Sequence, residues 1–318
     1  MGWFFDEGIN VWLQNAIPWM EWPFKILTYF GDSIIYIVLL AVAFWVYKKK
    51  DAIIAIYVLL TASFLNFFLK IIIKKPRPTI SDDMVKATGF STPSGHAQTS
   101  TTMYGWIMFY FKKIWLYVVI PILVLLICIS RVFLGVHFIG DVILGFFIGA
   151  AVLAALYFGI PPLVEWMDKW PTWVKIVVGE GYGLTVFLIT FLTGLFTNWP
   201  PEDATNSAET VAALMIFPLI IWVEDRYIKM DNENLRGSSI TLRIVVGLAS
   251  VIGFYFGFDL LFELFETTNY ALDYLYDFIQ YLIVLSVIGL LMPLLFSKVK
   301  IFSMKNEQFQ EKSEVAVA

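Results

Sequence analysis

Nine stretches of this chain, at about 24–47, 51–73, 94–111, 114–130, 139–160, 175–197, 208–224, 241–264 and 271–296, are apolar over most of their length. A bilayer core takes about 20 such residues to cross as a helix, and a lone apolar segment can satisfy its backbone there only by being helical. The pattern therefore predicts an all-α, polytopic helical membrane protein with about nine transmembrane helices. Composition agrees, with 59% of residues hydrophobic and 15% charged.

The same numbers exclude several classes. A formal net charge of -4 leaves no concentrated basic face, so no nucleic-acid partner is expected. The one cysteine, Cys128, lies inside an apolar run and can make no intramolecular disulfide. Asp6 and Glu7 occupy the place where a signal peptide would be basic, so none is read. Residues 3–16 carry Phe5, Ile9, Trp12, Leu13 and Ala16 on one helical face and Asp6, Asn10 and Gln14 on the other, which predicts an interfacial helix lying on the membrane.

Positive charge orients the spans. One set of loops holds Lys48, Lys49, Lys50, Lys112, Lys113, Lys169, Lys175, Arg226, Lys229, Arg236, Arg243, Lys298, Lys300, Lys305 and Lys312, fifteen of the 22 basic residues. The opposite side has Lys25, Lys70, Lys74, Lys75, Arg77, Lys86 and Arg131. This bias predicts an N-terminus outside the cytoplasm and a C-terminus inside, in a plasma membrane or ER-like membrane.

Both histidines of the chain lie in two short stretches on that outer side, Pro93-Ser94-Gly95-His96 and Ser130-Arg131-x5-His137-x3-Asp141. A third, Lys70-x6-Arg77-Pro78, precedes them. Ionisable groups beside a bilayer are costly and are kept where they function. Lys70 falls in the last turn of the second span, and Pro76 and Pro78 stop the helix, leaving Arg77 on an extended segment at the same mouth. Ser94 is placed to cap the third span, whose free N–H groups form an anion site. Arg131 closes the fourth span, and His137 and Asp141 are expected to open the fifth one above the other at i,i+4. Two imidazoles, a carboxylate and three phosphate-sized positive charges make a set suited to phosphoryl transfer through a histidine.

These elements resemble, at all eleven specified positions and in the same order, the motifs of the type 2 phosphatidic acid phosphatase superfamily. The resemblance covers roughly residues 50–160. It implies that His137 is a nucleophile carrying a phosphohistidine, that Asp141 holds its tautomer, and that His96 protonates the leaving group. It further implies that Lys70, Arg77, Ser94, Gly95 and Arg131 bind the phosphoryl oxygens. With both histidines so assigned and no Cys or His cluster left over, no metal site is expected, and no cofactor. The layout is also similar to the glucose-6-phosphatase and sphingosine-phosphate phosphatase branches. The implied substrate is a phosphorylated lipid, an isoprenyl diphosphate or a phosphatidate-like ester; a sugar phosphate, or a non-enzymatic role as a lipid transporter, scramblase or membrane interaction protein, is the alternative. No obligatory protein partner is predicted.

On this reading residues 1–23 form an interfacial segment, 24–160 a catalytic helical core, 161–302 a C-terminal four-helix membrane region and 303–318 a disordered cytoplasmic tail. Gln98, Thr99 and Thr102 are expected to make interhelical hydrogen bonds. Lys74, Lys75 and Lys86 match no motif and are read as solvated or facing lipid headgroups. The outer loop Asn198-Trp199-Pro200-Pro201-Glu202-Asp203 and the series Asp259, Glu263, Glu266, Asp273 and Asp277 are read as a solvated acidic rim.

Overall fold

The computed structural model of the chain describes residues 3–80, 85, 87, 89–196, 201–263 and 269–306, side chains excepted at 201–206, 259, 262 and 263. Lys86, residues 198–200, Glu266 and the tail from 307 lie outside the described residues, as do the side chains of Glu202, Asp203, Asp259 and Glu263. The regular structure among the described residues is helical: α1 (Gly8–Ala16), α2 (Glu21–Tyr29), α3 (Ser33–Val46), α4 (Lys49–Ile73), α5 (Gly95–Phe111), α6 (Leu116–Phe133), α7 (Ile139–Asp168), α8 (Thr172–Phe196), α9 (Pro201–Val223), α10 (Gly237–Glu263), α11 (Tyr270–Ser286) and α12 (Met292–Lys298).

Among the described residues the apolar stretches are largely helical. Seven of these helices are long and apolar enough to cross a membrane, and α2 with α3, bent by 42° at their junction, supplies an eighth if taken as one span. The remaining stretch, α5, has 17 residues, about 25 Å. Its first half is a run of buried hydroxyl and amide groups, Gln98, Ser100, Thr101 and Thr102. The fifth span also departs from expectation: α7 passes through Pro161 and Pro162 and ends only at Asp168. Membrane helices tolerate an interior proline where soluble ones break.

By packing, the chain divides into two compact units, one of Met1–Tyr36, Ala55–Lys169 and Pro200–Asp203, the other of Ile37–Ile54, Trp170–Trp199 and Ala204–Ala318. In the first, α5 and α7 meet along two glycines one helical turn apart. A Cβ on Gly145 would come within 2.6 Å of the Ser94 carbonyl oxygen, and one on Gly149 within 2.5 Å of the Gln98 carbonyl oxygen. This is the small-x3-small contact of membrane helices, which lets backbones approach where no side chain fits. Thr102 adds a hydrogen bond from its hydroxyl to the Gly149 carbonyl. Gln98 bridges to α4, donating to the Ala62 carbonyl and accepting from Asn66. Thr99 instead bonds the Gly95 carbonyl of its own helix.

At the mouth of this unit, Phe24, Phe133, Leu134 and Val136 form a small core, joined by Leu13, Ile17, Met20 and Leu27. It sits beneath the turn between α6 and α7. An interfacial helix ordinarily shows its polar face to water, but α1 turns two of its polar residues, Asn10 and Gln14, onto the protein beside Leu13. Asn10 is fully buried and Trp12 is 65% exposed, so the polar stripe docks on protein and the indole faces outward with Trp19 and Trp22.

In the second unit, a buried arginine ties the chain together. Arg243 donates from Nε to the Phe302 carbonyl, from Nη1 to the Trp45 carbonyl and Asn232 Oδ1, and from Nη2 to the Asp231 carbonyl. Trp45 donates to the Ile288 carbonyl and packs where Gly247 has no side chain. Glu224, also buried, accepts from Lys49 and from the Met230 N–H. Asp273 and Asp277 are half-buried on α11.

Candidate active site

Each motif reaches the mouth by a different local device. Lys70 lies in the last turn of α4, and the non-helical run from Lys74 through Pro78 carries Arg77 away from the helix axis. Ser94 caps α5 by accepting from the Ala97 N–H, so that Gly95 and His96 occupy its first turn. Arg131 lies in the last turn of α6.

The i,i+4 arrangement of His137 and Asp141 on one helix is corrected. The helix starts at Ile139 with Phe138 as its N-cap, which leaves His137 in the preceding turn. The Asp141 side chain turns back toward the helix start, and Oδ2 accepts the Phe138 N–H at 2.9 Å. Capping the helix and facing the histidine are thus done by one carboxylate.

The turn leaves the His137 ring between a cationic side and an anionic side. On one side Arg77 Nη1 stands 3.3 Å from Nε2 and donates to the Val136 carbonyl at 2.8 Å. On the other, Nδ1 is 3.3 Å from the Ser91 hydroxyl and 3.5 Å from Asp141 Oδ2. A guanidinium only donates, so the nitrogen facing it is the one with the lone pair, and the proton sits on Nδ1. Burial pushes the His137 imidazole well below its ordinary pKa, and Arg77, Arg131 and Lys70 push the same way against a contact from the Ser91 backbone. The ring is therefore neutral near pH 7.

The same three cations act electrostatically on His96 as well as His137. Arg131 is 7% exposed, donates from Nη1 to the Thr28 hydroxyl at 2.7 Å, and keeps a buried Nε with no partner. Gly31, at the break between α2 and α3, lies against His96: a Cβ there would meet the ring at 2.9 Å. Asn66 Oδ1 would meet a Cβ on Gly95 at 3.1 Å, so that turn too admits only glycine without a shift. All eight residues singled out in the sequence thus belong to one neighbourhood.

Several residues of this neighbourhood were not singled out. Asn10 donates from Nδ2 to the Val132 and His137 carbonyls at 2.7 and 2.9 Å, and Gln14 donates to the Phe133 carbonyl. Ser91 and Thr92 donate their hydroxyls to the two oxygens of Asp141. Glu7 accepts from the Thr79 N–H and hydroxyl, and Lys75, read as solvated, stands over the Phe5 ring at 4.2 Å. The i,i+4 spacing of Asn10 and Gln14 on one face of α1 was the available signal for them.

Comparison with known proteins follows this geometry. The PAP2 superfamily profile matches residues 51–163, and a second, described as PAP2 superfamily phosphatase, transmembrane extension, matches 208–306. Phosphatidylglycerophosphatase B of Bacillus subtilis is 31% identical over 145 residues, 42% of this chain and 71% of that protein. Sphingosine-1-phosphate phosphatase 1 of Mus musculus is 28% identical over 227 residues, 65% of this chain but only 50% of that protein. A crystal structure of a transmembrane PAP2-type phosphatidylglycerolphosphate phosphatase from Bacillus subtilis is similar with a TM-score of 0.43 at 25% identity, over 52% of this chain and 87% of that one. The eight motif residues that converge at the mouth all fall within the first matched segment, and on the sequence relationship the chain belongs to the PAP2 superfamily of phosphatases.

Proposed function

We propose that this integral membrane phosphatase hydrolyses lipid phosphate esters, monoesters or diphosphates, through a phosphohistidine on His137. The observation that carries the reading is the placement of the His137 ring, with Nε2 3.3 Å from Arg77 Nη1 on the cationic side and Nδ1 facing Ser91 and Asp141. In the first step Nε2 attacks phosphorus, the P–O bond to the lipid breaks, and His96, which takes up a proton together with the anionic phosphate that offsets Arg131, Lys70 and Arg77 around it, delivers that proton to the departing oxygen. In the second, His96 takes a proton from water, the water oxygen attacks phosphorus, and the P–N bond breaks to release phosphate. Lys70, Arg77, Arg131 and the N–H groups at the start of α5 meet the charge that spreads over the equatorial oxygens. Asp141 stabilises the imidazolium character that His137 gains.

A lipid substrate is supported by the position of the site at the mouth of membrane helices and by the named activities of the relatives. The excess of Lys and Arg in the opposite loops supports an active site on the extracytoplasmic side and a cytoplasmic C-terminus.

The test is phosphate release by detergent-purified protein from a panel of phosphatidylglycerophosphate, sphingosine 1-phosphate, isoprenyl diphosphate and glucose 6-phosphate, with His137→Ala as control. The expected result is turnover of at least one lipid ester, loss of about 10³-fold or more in the variant, inhibition by vanadate and indifference to chelator. Turnover of glucose 6-phosphate alone would replace the lipid reading, and undiminished turnover in His137→Ala would remove the nucleophile.

A further inference from the structure

Ser91 lies between the two residues to which the histidine–carboxylate pairing is ascribed. Its hydroxyl is 3.3 Å from His137 Nδ1, nearer than the Asp141 oxygen at 3.5 Å, and it donates to that same oxygen. A hydroxyl has one proton to give and lone pairs to receive with. With its proton committed to Asp141, the Ser91 oxygen is left as an acceptor, and the hydrogen it faces on the His137 ring is the one on Nδ1, which the Ser91 backbone also contacts.

We propose that Ser91 is a positioning residue interposed in the chain Nδ1–H of His137 to Oγ of Ser91, and O–H of Ser91 to Oδ2 of Asp141, so that the carboxylate acts on the nucleophile through a serine. This rests on His137 being the reacting group.

The surroundings are built to hold that order. Asp141 is completely buried and already receives the Thr92 hydroxyl on Oδ1 and the Phe138 N–H on Oδ2. With these partners it is fixed as a helix cap and cannot swing toward the ring without giving one up. Ser91 is equally fixed, with no exposed surface and its N–H donated to the Lys75 carbonyl at 2.8 Å. The Ser94 N–H donates to the Asp141 carbonyl at 3.0 Å, tying the strand that carries Ser91 and Thr92 to the start of α7. Buried polar groups held in a connected network of this kind keep one orientation. As phosphorus bonds to Nε2 the ring becomes cationic, and the Ser91 hydroxyl passes the stabilisation from Asp141 to Nδ1–H without any proton leaving the imidazole.

The chain contains only two histidines, so protein labelled with ¹⁵N-histidine shows two imidazoles, told apart by a His96→Gln variant. The expected spectrum has His137 as the Nδ1–H tautomer with a slowly exchanging ring proton. In Ser91→Ala that proton exchanges freely or the tautomers mix, and kcat falls about 10- to 100-fold, the scale on which outer partners of metal-bound imidazoles act, with KM changed less than threefold. Ser91→Thr, which keeps the hydroxyl, restores the tautomer and most of the rate; affinity for inorganic phosphate, which depends on the cations, together with an unchanged thermal melt shows that each variant is folded. An Nε2–H tautomer in the parent chain, or full rate with unchanged exchange in Ser91→Ala, would overturn the proposal while leaving a working phosphatase. If the parent chain releases no phosphate from any ester, it is the phosphatase reading that fails, and the ring proton still reports whether Ser91 holds His137.

Discussion

Arg131 and Arg243 are both buried at membrane-helix positions, one in each unit, and they are bonded in opposite ways. Arg243 finds four acceptors, three of them backbone carbonyls far apart in sequence. Arg131 has Thr28 as its hydrogen-bond acceptor and a buried Nε left over. Burying a charge is tolerable when its donors are met. The saturated arginine is a structural clamp, whereas Arg131, with fewer of its donors met by the protein, is the one we propose binds the phosphoryl group. Within one chain, the number of donors still to be met separates the residue that holds the fold from the residue assigned to the substrate.

That comparison breaks most visibly under truncation. Arg131→Ala is expected to lower kcat/KM by about 10³-fold or more with little change in thermal stability in detergent. Arg243→Ala is expected to do the reverse, costing about 3–5 kcal/mol of stability because several buried acceptors lose their donor. Activity assays beside thermal melts of the two variants decide the matter, and a folding defect in Arg131→Ala with turnover retained would abolish the distinction.

A milder exchange sharpens it. Arg131→Lys keeps the charge but loses the planar fork that matches two phosphoryl oxygens, and is expected to cost about 10²-fold in kcat/KM. Smaller again is Asn10→Ala, which removes the donor to the His137 carbonyl and is expected to lower kcat about tenfold with KM unchanged; a change in KM alone would place Asn10 on the substrate side. The smallest effect is a titration. Because burial and then Arg77 hold His137 below the ordinary imidazole range, its ¹⁵N signals should stay those of the neutral ring as pH falls through 6.5. Arg77→Gln removes a cation that disfavours the charged ring, so the titration should move upward; a downward move would contradict the assigned charges.

The motif residues were legible because their types are costly at a membrane interface and stand at fixed spacings, so that Lys70, Arg77, His96, Arg131, His137 and Asp141 announce themselves in a single chain. Ser91, Thr92, Thr28 and Gly31 did not, since serine, threonine and glycine are ordinary residues of a turn and owe their importance to a neighbour reached only on folding. Asn10 is the extreme case, 127 residues from the histidine whose carbonyl it holds. The Gly145-x3-Gly149 contact could have been read from its spacing. Membrane helices were legible as apolar runs, but not the packing of Ile37–Ile54 with the later chain, because an apolar surface carries no address.

The inward turn of the polar face of α1 bears on how the protein is handled. The matched family segment begins at residue 51, and trimming to that boundary would remove the amide that ties down the His137 turn together with Thr28 beside Arg131. A minimal fragment chosen by homology would therefore retain every motif and be a poor enzyme.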